Sequence, residues 1–316
     1  MTRAVAIVEP GGPDVLRVVE RDVREPAPGE VRLAVRAAAV NPTDIGMRLR
    51  GDPALPPPWV PGMDAAGTVE SVGAGVERLA VGDEVMAAVL PRRPEGGAQS
   101  DLIVVPAASV VPVPAGATLE QAATLPMNGL TALRGLELLD LEPGATLAVT
   151  GGAGLLASYV IPIAKLRGLR VLADAAPADE ELVRGFGADV VLPRGDEFVE
   201  AALAEAPGGV DAVYDTALLG RGAFPAIRTG GATVVVRGWD GDDVENGITI
   251  HPVWVGDVLE RTDWLRELGD LAARRVLALR VAAAFPPEQA PDAHRQLEAG
   301  GMRGRAVIVF DRGSNR

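Results

Sequence analysis

The segment Val31-Arg32-Leu33-Ala34-Val35-Arg36 alternates apolar and polar residues with the period of a half-buried strand. It sits in a predicted strand Glu30–Ala39, entered from the turn Pro26-Ala27-Pro28-Gly29. Shorter strands are predicted at Ala4–Val8 and Arg17–Glu20, and the pattern continues through Gly67–Gly73 and Gly82–Val85. Many short strands punctuated by Gly and Pro predict a small barrel. From Leu119 the rhythm changes. Leu119–Leu125 and Gly129–Leu139 have helical spacing, Ala145–Thr150 reads as a buried strand and Leu155–Arg167 as a helix. Strands at Leu169–Ala173, Asp189–Leu192, Val210–Asp215, Thr233–Arg237 and Ile248–Val255 follow, with helices at Glu180–Phe186 and around Gly222–Arg228. Repeated strand-helix-strand units predict a doubly wound parallel sheet with right-handed crossovers. Strands return at Val276–Ala284 and Gly304–Val309, separated by a helix at Pro287–Glu298.

With 316 residues the chain is long enough for two separate cores, and 3% aromatics means that Val, Leu, Ile and Ala must build them. A net charge of −13 argues against nucleic acid and anionic lipid as general partners. No apolar run is long enough to span a membrane, and Met1–Ile7, soon interrupted by Glu9-Pro10, is too short for a signal peptide. A cytoplasmic location is expected. The absence of cysteine removes disulfides and thiolate metal ligands together. No Ser-His-Asp order, Walker-type loop or basic-aromatic interleaving supports a hydrolase, a nucleoside triphosphatase or a nucleic-acid binder.

The chemistry-bearing motif is Gly152-Ala153-Gly154-Leu155-Leu156-Ala157, which follows a predicted strand and opens a helix. It fits the dinucleotide fingerprint with Ala in the third small position. Gly makes the turn, the backbone approaches the pyrophosphate, and the helix N-terminus offers N–H groups and a positive dipole end. Asp174 closes the next strand, where an acid bonds a ribose 2′-hydroxyl and favours NAD(H).

The stretch Ala37-Ala38-Ala39-Val40-Asn41-Pro42-Thr43-Asp44, with Pro61-Gly62-Met63-Asp64-Ala65-Ala66-Gly67, strongly resembles the medium-chain dehydrogenase/reductase superfamily. The match is to its zinc-free quinone oxidoreductase, or zeta-crystallin-like, branch. The phrases Gly67-x-Val69-x-x-Val72-Gly73 and Gly82-Asp83-x-Val85 also belong to it. In the zinc-dependent branch the equivalents of Asn41 and Met63 are a cysteine and a histidine, so no metal is expected here. The resemblance implies an α/β fold: a GroES-like barrel over residues 1–118 with 256–316, and a Rossmann dinucleotide-binding domain over 119–255. It further implies an NAD(P)H-dependent oxidoreductase that transfers hydride to a quinone or an α,β-unsaturated carbonyl. Relatives pair the strand matching Ile248–Val255 with its two-fold mate, which implies a homodimer.

Site residues follow from the same resemblance. Thr131, Gly152, Gly154, Leu155, Leu156, Asp174, Thr216, Arg237 and Gly238 are expected along the cofactor. Asn41 either donates to the acceptor oxygen, where negative charge develops, or serves as a turn amide before Pro42. Asp44 and Arg48 follow it, with an Asp–Arg pair bracing the loop as the plainer reading. Trp59, Met63, Asn128 and Trp239 are expected as cleft walls. No tyrosine is placed as a proton donor, because Tyr159 falls in the cofactor helix and Tyr214 in a strand; His251 and His294 read as structural. The family favours NADP(H), whereas Asp174 and the acidic Asp179-Glu180-Glu181 favour NAD(H), and the two remain in conflict. Leu155 replaces a family glycine and Pro162 a family glutamine inside the helix, where proline removes a hydrogen bond and kinks the chain. An alternative is therefore a cofactor-impaired relative, a binding or redox-neutral pathway protein.

Overall fold

The computed structural model describes residues 2–311; Met1 and residues 312–316, counted above in the barrel domain and its tail, lie outside the described residues. The chain divides into two compact units. One takes the residues up to Met127, Val258–Arg275 and those from Leu279 onward, and the other takes Asn128–Asp257 with Val276–Ala278.

The first unit begins with β1 (Thr2–Ile7), β2 (Leu16–Arg21), β3 (Glu30–Ala39), α1 (Pro42–Arg50) and β4 (Asp64–Val72). It continues with β5 (Glu84–Ala88), β6 (Leu102–Pro106), β7 (Val110–Pro112) and α2 (Leu119–Ala122). The alternation read from Val31 to Arg36 appears as alternating burial along β3, which then buries every residue from Ala37 to Ala39. Both faces are covered at that end, and β3 leads from there directly into α1. Gly67 is obligatory in β4, because a Cβ there would lie 2.0 Å from the Ala34 carbonyl oxygen on β3.

The second unit contains α3 (Pro126–Leu139), whose first two residues count with the first unit, then β8 (Thr146–Thr150), α4 (Ala157–Leu166), β9 (Arg170–Ala175) and α5 (Glu180–Gly185). After these come β10 (Val190–Pro193), α6 (Phe198–Glu205), β11 (Val210–Asp215), β12 (Ile227–Val235), β13 (Val244–Glu245) and β14 (Ile248–Pro252). The sheet order is β10-β9-β8-β11-β12-β14-β13, parallel except for β13. Strand order reverses between β8 and β11, the switch point at which doubly wound sheets bind ligands beyond their carboxyl ends. Within this unit α3 lies very close to β11. A Cβ on Gly135 would sit 2.3 Å from the Tyr214 hydroxyl, which is buried and donates to the Thr131 carbonyl at 2.6 Å.

The chain returns to the first unit with α7 (Thr262–Ala273), β15 (Val281–Phe285), α8 (Ala290–Ala299) and β16 (Arg305–Val309). β16 pairs antiparallel with β3, matching Val307 to Ala39, and joins a sheet ordered β15-β16-β3-β4-β5-β7 with β6 also on β3. Its core includes Val5, Leu33, Val69, Ile103 and Ile308.

Several expected elements differ. The residues after Asn41 form a helix rather than a turn, because Pro42 takes the first helical position, where its missing N–H costs nothing. The helix expected around Gly222–Arg228 is a 3-10 segment, Gly220–Ala226, and β12 begins at Ile227. The strand expected over Val276–Ala284 is reduced to Val281–Phe285. β14 stops at Pro252 and is not the outermost strand, since Val244 and Glu245 of β13 pair with Thr249 and Ile248.

Candidate active site

In the first unit the end of β3, the start of α1 and the loop before β4 meet in a buried polar network. Asn41 is the N-cap of α1, and Asp44, three residues on, accepts from its backbone N–H at 2.7 Å. The Asp44 N–H lies 2.9 Å from the Asn41 carbonyl and returns to Asn41 in a capping box, and the Asn41 side chain has longer-range partners as well. Its Nδ2 donates to Asp64 at 2.6 Å, and its Oδ1 accepts from Arg305 Nε at 2.8 Å. The second Asp64 oxygen accepts from the Met127 N–H at 2.6 Å, and the second Asp44 oxygen from Gly62 at 2.9 Å. Gly62 has φ +107°, and a Cβ there would meet the Gln99 backbone nitrogen at 2.9 Å, so only glycine suits the turn.

Asn41, Asp44 and Asp64 are buried. Burial pushes the Asp64 carboxyl up to about 7 and that of Asp44 to about 6. The N–H donors and the Arg305 charge pull both back down, while the Asp44 charge raises Asp64 further. Asn41, read as a donor to substrate or as a turn amide, is the latter in this structure: it is fully buried with both amide ends engaged.

No Asp44–Arg48 pair forms. Arg48 is buried and turns to the other side of α1, donating to the Gly11 carbonyl (3.0 Å), to His294 Nδ1 (3.2 Å) and to Glu298. Burial and the adjacent guanidinium depress His294 to about 3. Its Nδ1 is thus the acceptor, and its buried Nε2 has no partner among the described residues. Arg48 ties α1 to α8 and is not available to a substrate. Trp59 and Met63 are also corrected, from cleft walls to interior residues, 8% and 3% exposed. Trp59 belongs to the hydrophobic core and donates from Nε1 to the Leu55 carbonyl (2.8 Å).

In the second unit, the loop after β8 forms the glycine turn at the switch point. Gly151 has φ +67°, Gly152 donates to both the backbone and the carboxylate of Asp174 (3.1 and 3.0 Å), and Gly154 donates to the Gly151 carbonyl (2.8 Å). A Cβ on Gly152 would lie 2.5 Å from the Asp174 carbonyl oxygen, so the turn packs against the end of β9. The N–H groups of Leu155, Leu156 and Ala157 have no acceptor among the described residues. They are the orphan donors of the first turn of α4, the donor set that a pyrophosphate takes. The turn fits a dinucleotide.

Leu155 is 2% exposed, so its side chain faces the interior rather than an anion on the turn. Pro162 is buried within α4, not on a surface face, and the helix runs unbroken past it. Asp174 is 2% exposed, and one oxygen of its carboxylate accepts from the Gly152 N–H. Burial raises its carboxyl above the usual range, against the glycine N–H groups and the nearby Arg194 charge. Asp215 closes β11 and accepts from the Thr150 hydroxyl (2.6 Å), Leu219 (3.1 Å) and Gly220 (2.7 Å). Thr216 donates to the Thr150 carbonyl at 2.5 Å, bracing the turn from the neighbouring strand.

Thr131 and Asn128 are buried on α3, whereas Arg237 and Gly238 are exposed beyond β12. Trp239 is half-buried, stacked on Phe224 (5.8 Å between ring centres) with the Arg221 guanidinium 4.4 Å from its ring. It alone of the four expected wall residues keeps appreciable exposed surface. Two residues escaped the sequence reading, Arg305 and Arg194. Both matter through strand register, which a local pattern does not reveal.

Residues 27–115 match the alcohol dehydrogenase GroES-like domain family, and residues 186–308 match a family described as zinc-binding dehydrogenase. The NADPH-dependent alkenal/one oxidoreductase of Arabidopsis thaliana chloroplasts is 31% identical over 310 residues, spanning 94% of this chain and 77% of that protein. A quinone oxidoreductase of Pseudomonas aeruginosa is 32% identical over 220 residues, 68% of this chain and 66% of that one. The chain belongs to the medium-chain dehydrogenase/reductase superfamily, in its quinone oxidoreductase branch. A mycobacterial protein solved with NADPH superposes with TM-score 0.85 at 28% identity, over 98% of this chain and 100% of that one. In this medium-chain dehydrogenase/reductase the two positions that bind zinc elsewhere have other work: Asn41 links Asp64 to Arg305, and Met63 is buried. Among the described residues no cluster of three or more His, Cys, Asp or Glu side chains is arranged to hold a metal ion, and no helix is long and apolar enough to cross a membrane.

Proposed function

We propose that this protein is a zinc-independent reductase that uses NADPH to reduce an α,β-unsaturated carbonyl compound or a quinone. The observation that carries the reading is the glycine turn at the switch point, with its three unaccepted N–H groups at the start of α4. Bound NADPH supplies the hydride. The protein's own share is to bind and orient: the N–H groups of residues 155–157 hold the pyrophosphate, and Thr150, Asp215 and Thr216 keep the turn in shape. Relatives named as an NADPH-dependent alkenal/one oxidoreductase and a quinone oxidoreductase support this acceptor class. Interior placement of Leu155 and Pro162 removes the main argument for the cofactor-impaired alternative.

Preference for NADPH over NADH follows from charge. Asp174 is turned into the glycine turn and does not present its carboxylate to a ribose. β10 lies parallel to β9 with Leu192 opposite Asp174 and Pro193 opposite Ala175, so Arg194 stands beside the end of β9. Arg194 is exposed and has no ion pair among the described residues, which suits it to a 2′-phosphate. A homodimer through the β13–β14 edge belongs to the same reading, supported by Val244 and Trp254, 60% and 52% exposed; a monomer mass in light scattering would count against it.

The test is consumption of NADPH and of NADH, followed by absorbance, with a panel of linear enones, cyclic enones and quinones. Turnover with NADPH and an enone or quinone is the expected result. Silence with the whole panel, together with no cofactor binding, would favour the cofactor-impaired alternative.

A further inference from the structure

The dipeptide Asn-Gly occurs twice in the chain, at Asn128-Gly129 and at Asn246-Gly247, and the fold gives the two opposite settings. Both lie in the second unit. Asn128 is 2% exposed near the start of α3. Asn246 and Gly247 are exposed and form the two-residue turn between β13 and β14. Glu245 faces Ile248 across that turn, and φ is +53° at Asn246 and +75° at Gly247, the left-handed pair that a type I′ hairpin needs.

The nitrogen of a glycine can attack the side-chain carbon of an asparagine just before it, because no Cβ blocks the approach and the backbone bends freely there. Access and motion decide whether it does. The Asn246 side chain has no hydrogen-bond partner among the described residues. A Cβ on Gly247 would meet a single atom within 4 Å, Thr229 Cγ2 at 3.8 Å, so the turn is open on that side. β13 is short: Val244 pairs with Thr249, Glu245 with Ile248, and one further bond runs from the Ile250 N–H to the Asp243 carbonyl. So few bonds at a sheet edge open at little cost. At Asn128 the helix fixes the backbone and the core excludes water, so ring closure there waits for unfolding.

We propose that Asn246 is a spontaneous modification site, converting to aspartate and isoaspartate in the folded protein, and that the conversion loosens the β13–β14 edge. The Gly247 backbone nitrogen bonds to the Asn246 side-chain carbon and gives up its proton. The bond from that carbon to the side-chain nitrogen breaks, and ammonia leaves with the proton. Water then opens the cyclic imide at either carbonyl. One opening restores the chain as aspartate, and the other routes it through the side-chain carbon as isoaspartate. Nothing is oxidised or reduced, and water is the only co-reactant. Both products place a new carboxylate close in sequence to Asp243 and Glu245. Isoaspartate also lengthens the turn by a backbone carbon, so the I′ geometry is lost and Glu245 and Ile248 slip out of register. β14, which β13 now covers, then becomes the open edge of the sheet.

The experiment incubates the protein in native buffer and, in parallel, in unfolding urea, and maps its peptides by mass spectrometry that separates isoaspartate from aspartate. In urea the two Asn-Gly peptides should convert at similar rates. In native buffer Asn246 should convert at least about 10²-fold faster than Asn128, since Asn128 reacts only through the unfolded fraction. Asn246→Gly keeps a residue suited to positive φ, cannot convert at the turn and supplies the unmodified reference. Amide hydrogen exchange over residues 244–250 should be faster in aged wild type than in fresh wild type or aged Asn246→Gly. An Asn246 that stays intact in native buffer while urea converts it would overturn the proposal, as would equal native rates at the two sites. Conversion with hydrogen exchange unchanged would overturn the loosening of the edge. None of these readouts involves a cofactor or an acceptor, so their failure and that of the reductase reading are separate results.

Discussion

The contact between α3 and β11 gives the sharpest test of the second unit. Replacing Gly135 by alanine puts a methyl group 2.3 Å from the Tyr214 hydroxyl oxygen and 2.4 and 2.5 Å from two ring carbons. Overpacking of this kind costs about 1–3 kcal/mol. If the ring moves to relieve it, the hydrogen bond to the Thr131 carbonyl is lost inside the core, at a cost of about 1–3 kcal/mol. Alanine returns only about 1 kcal/mol of helix propensity. Gly135→Ala should therefore destabilise the protein by about 3 kcal/mol on these terms. Tyr214→Leu alone should cost about 2–3 kcal/mol for the lost volume and bond. The double variant should cost clearly less than the sum, with a coupling of about 2 kcal/mol, since leucine vacates the space that the new methyl needs. Urea titrations of the four proteins, followed by far-ultraviolet circular dichroism, measure this cycle. A Gly135→Ala variant more stable than wild type would refute the reasoning, for it would mean that helix propensity outweighs the steric contact.

Three further predictions follow from the site. Asp44 and Asp64 titrate near 6 and 7 when folded, above the unfolded value of 3.8, so their contribution is fully present below about pH 4 and is lost as pH rises through 6–7. His294 has the opposite sign, depressed to about 3 from 6.5, so its contribution is lost as pH falls below about 6.5. The two carboxyls together outweigh the one imidazole, and the urea midpoint should be higher at about pH 5 than at pH 8; the reverse order would show that the carboxylates are ionised in the fold at little cost. Arg194→Ser should weaken NADPH binding by about 10–100-fold, the worth of a charge-assisted hydrogen bond, while leaving NADH unchanged; equal losses for both cofactors in fluorescence titrations would remove Arg194 from the 2′-phosphate. Leu155→Gly should not tighten dinucleotide binding and should destabilise the fold by about 2–5 kcal/mol, as for other large-to-small core changes; tighter binding would show that the leucine does crowd the turn.

Much of the architecture was legible in the chain. β3 and β11 could be bounded correctly because alternation and a short apolar run flanked by turn residues carry the signal locally. The glycine turn was legible because close backbone approach demands glycine whatever surrounds it. α1 was overlooked although Asn41-x-x-Asp44 with Pro42 is a helix start, since Gly46 and the polar residues after it obscure any apolar stripe. The short 3-10 segment before β12 has no period of its own to read. The site was less legible than the fold. Nothing near Asn41 in sequence announces Arg305, 264 positions away, and only the antiparallel pairing of β16 with β3 brings them together. The strand expected to close at Asp174 runs one residue further, to Ala175, and the direction of the Asp174 carboxylate depends on the turn it faces.

The Asn41 amide also bears on how readily a metal site could be built at this position. An amide is one of few side chains that can give a hydrogen to a carboxylate on one end while receiving one from a guanidinium on the other. Placing a cysteine at position 41 would leave the buried Asp64 short of a donor and Arg305 short of an acceptor before any metal arrived. Met63 would still lack a coordinating nitrogen. A change at 41 alone thus costs stability without gaining a metal, and only a coordinated set of changes, at 41, 63 and around 305, would assemble a site. The polar adaptor thus acts as a lock: its two opposed hydrogen bonds set the cost of exchanging it for a metal ligand.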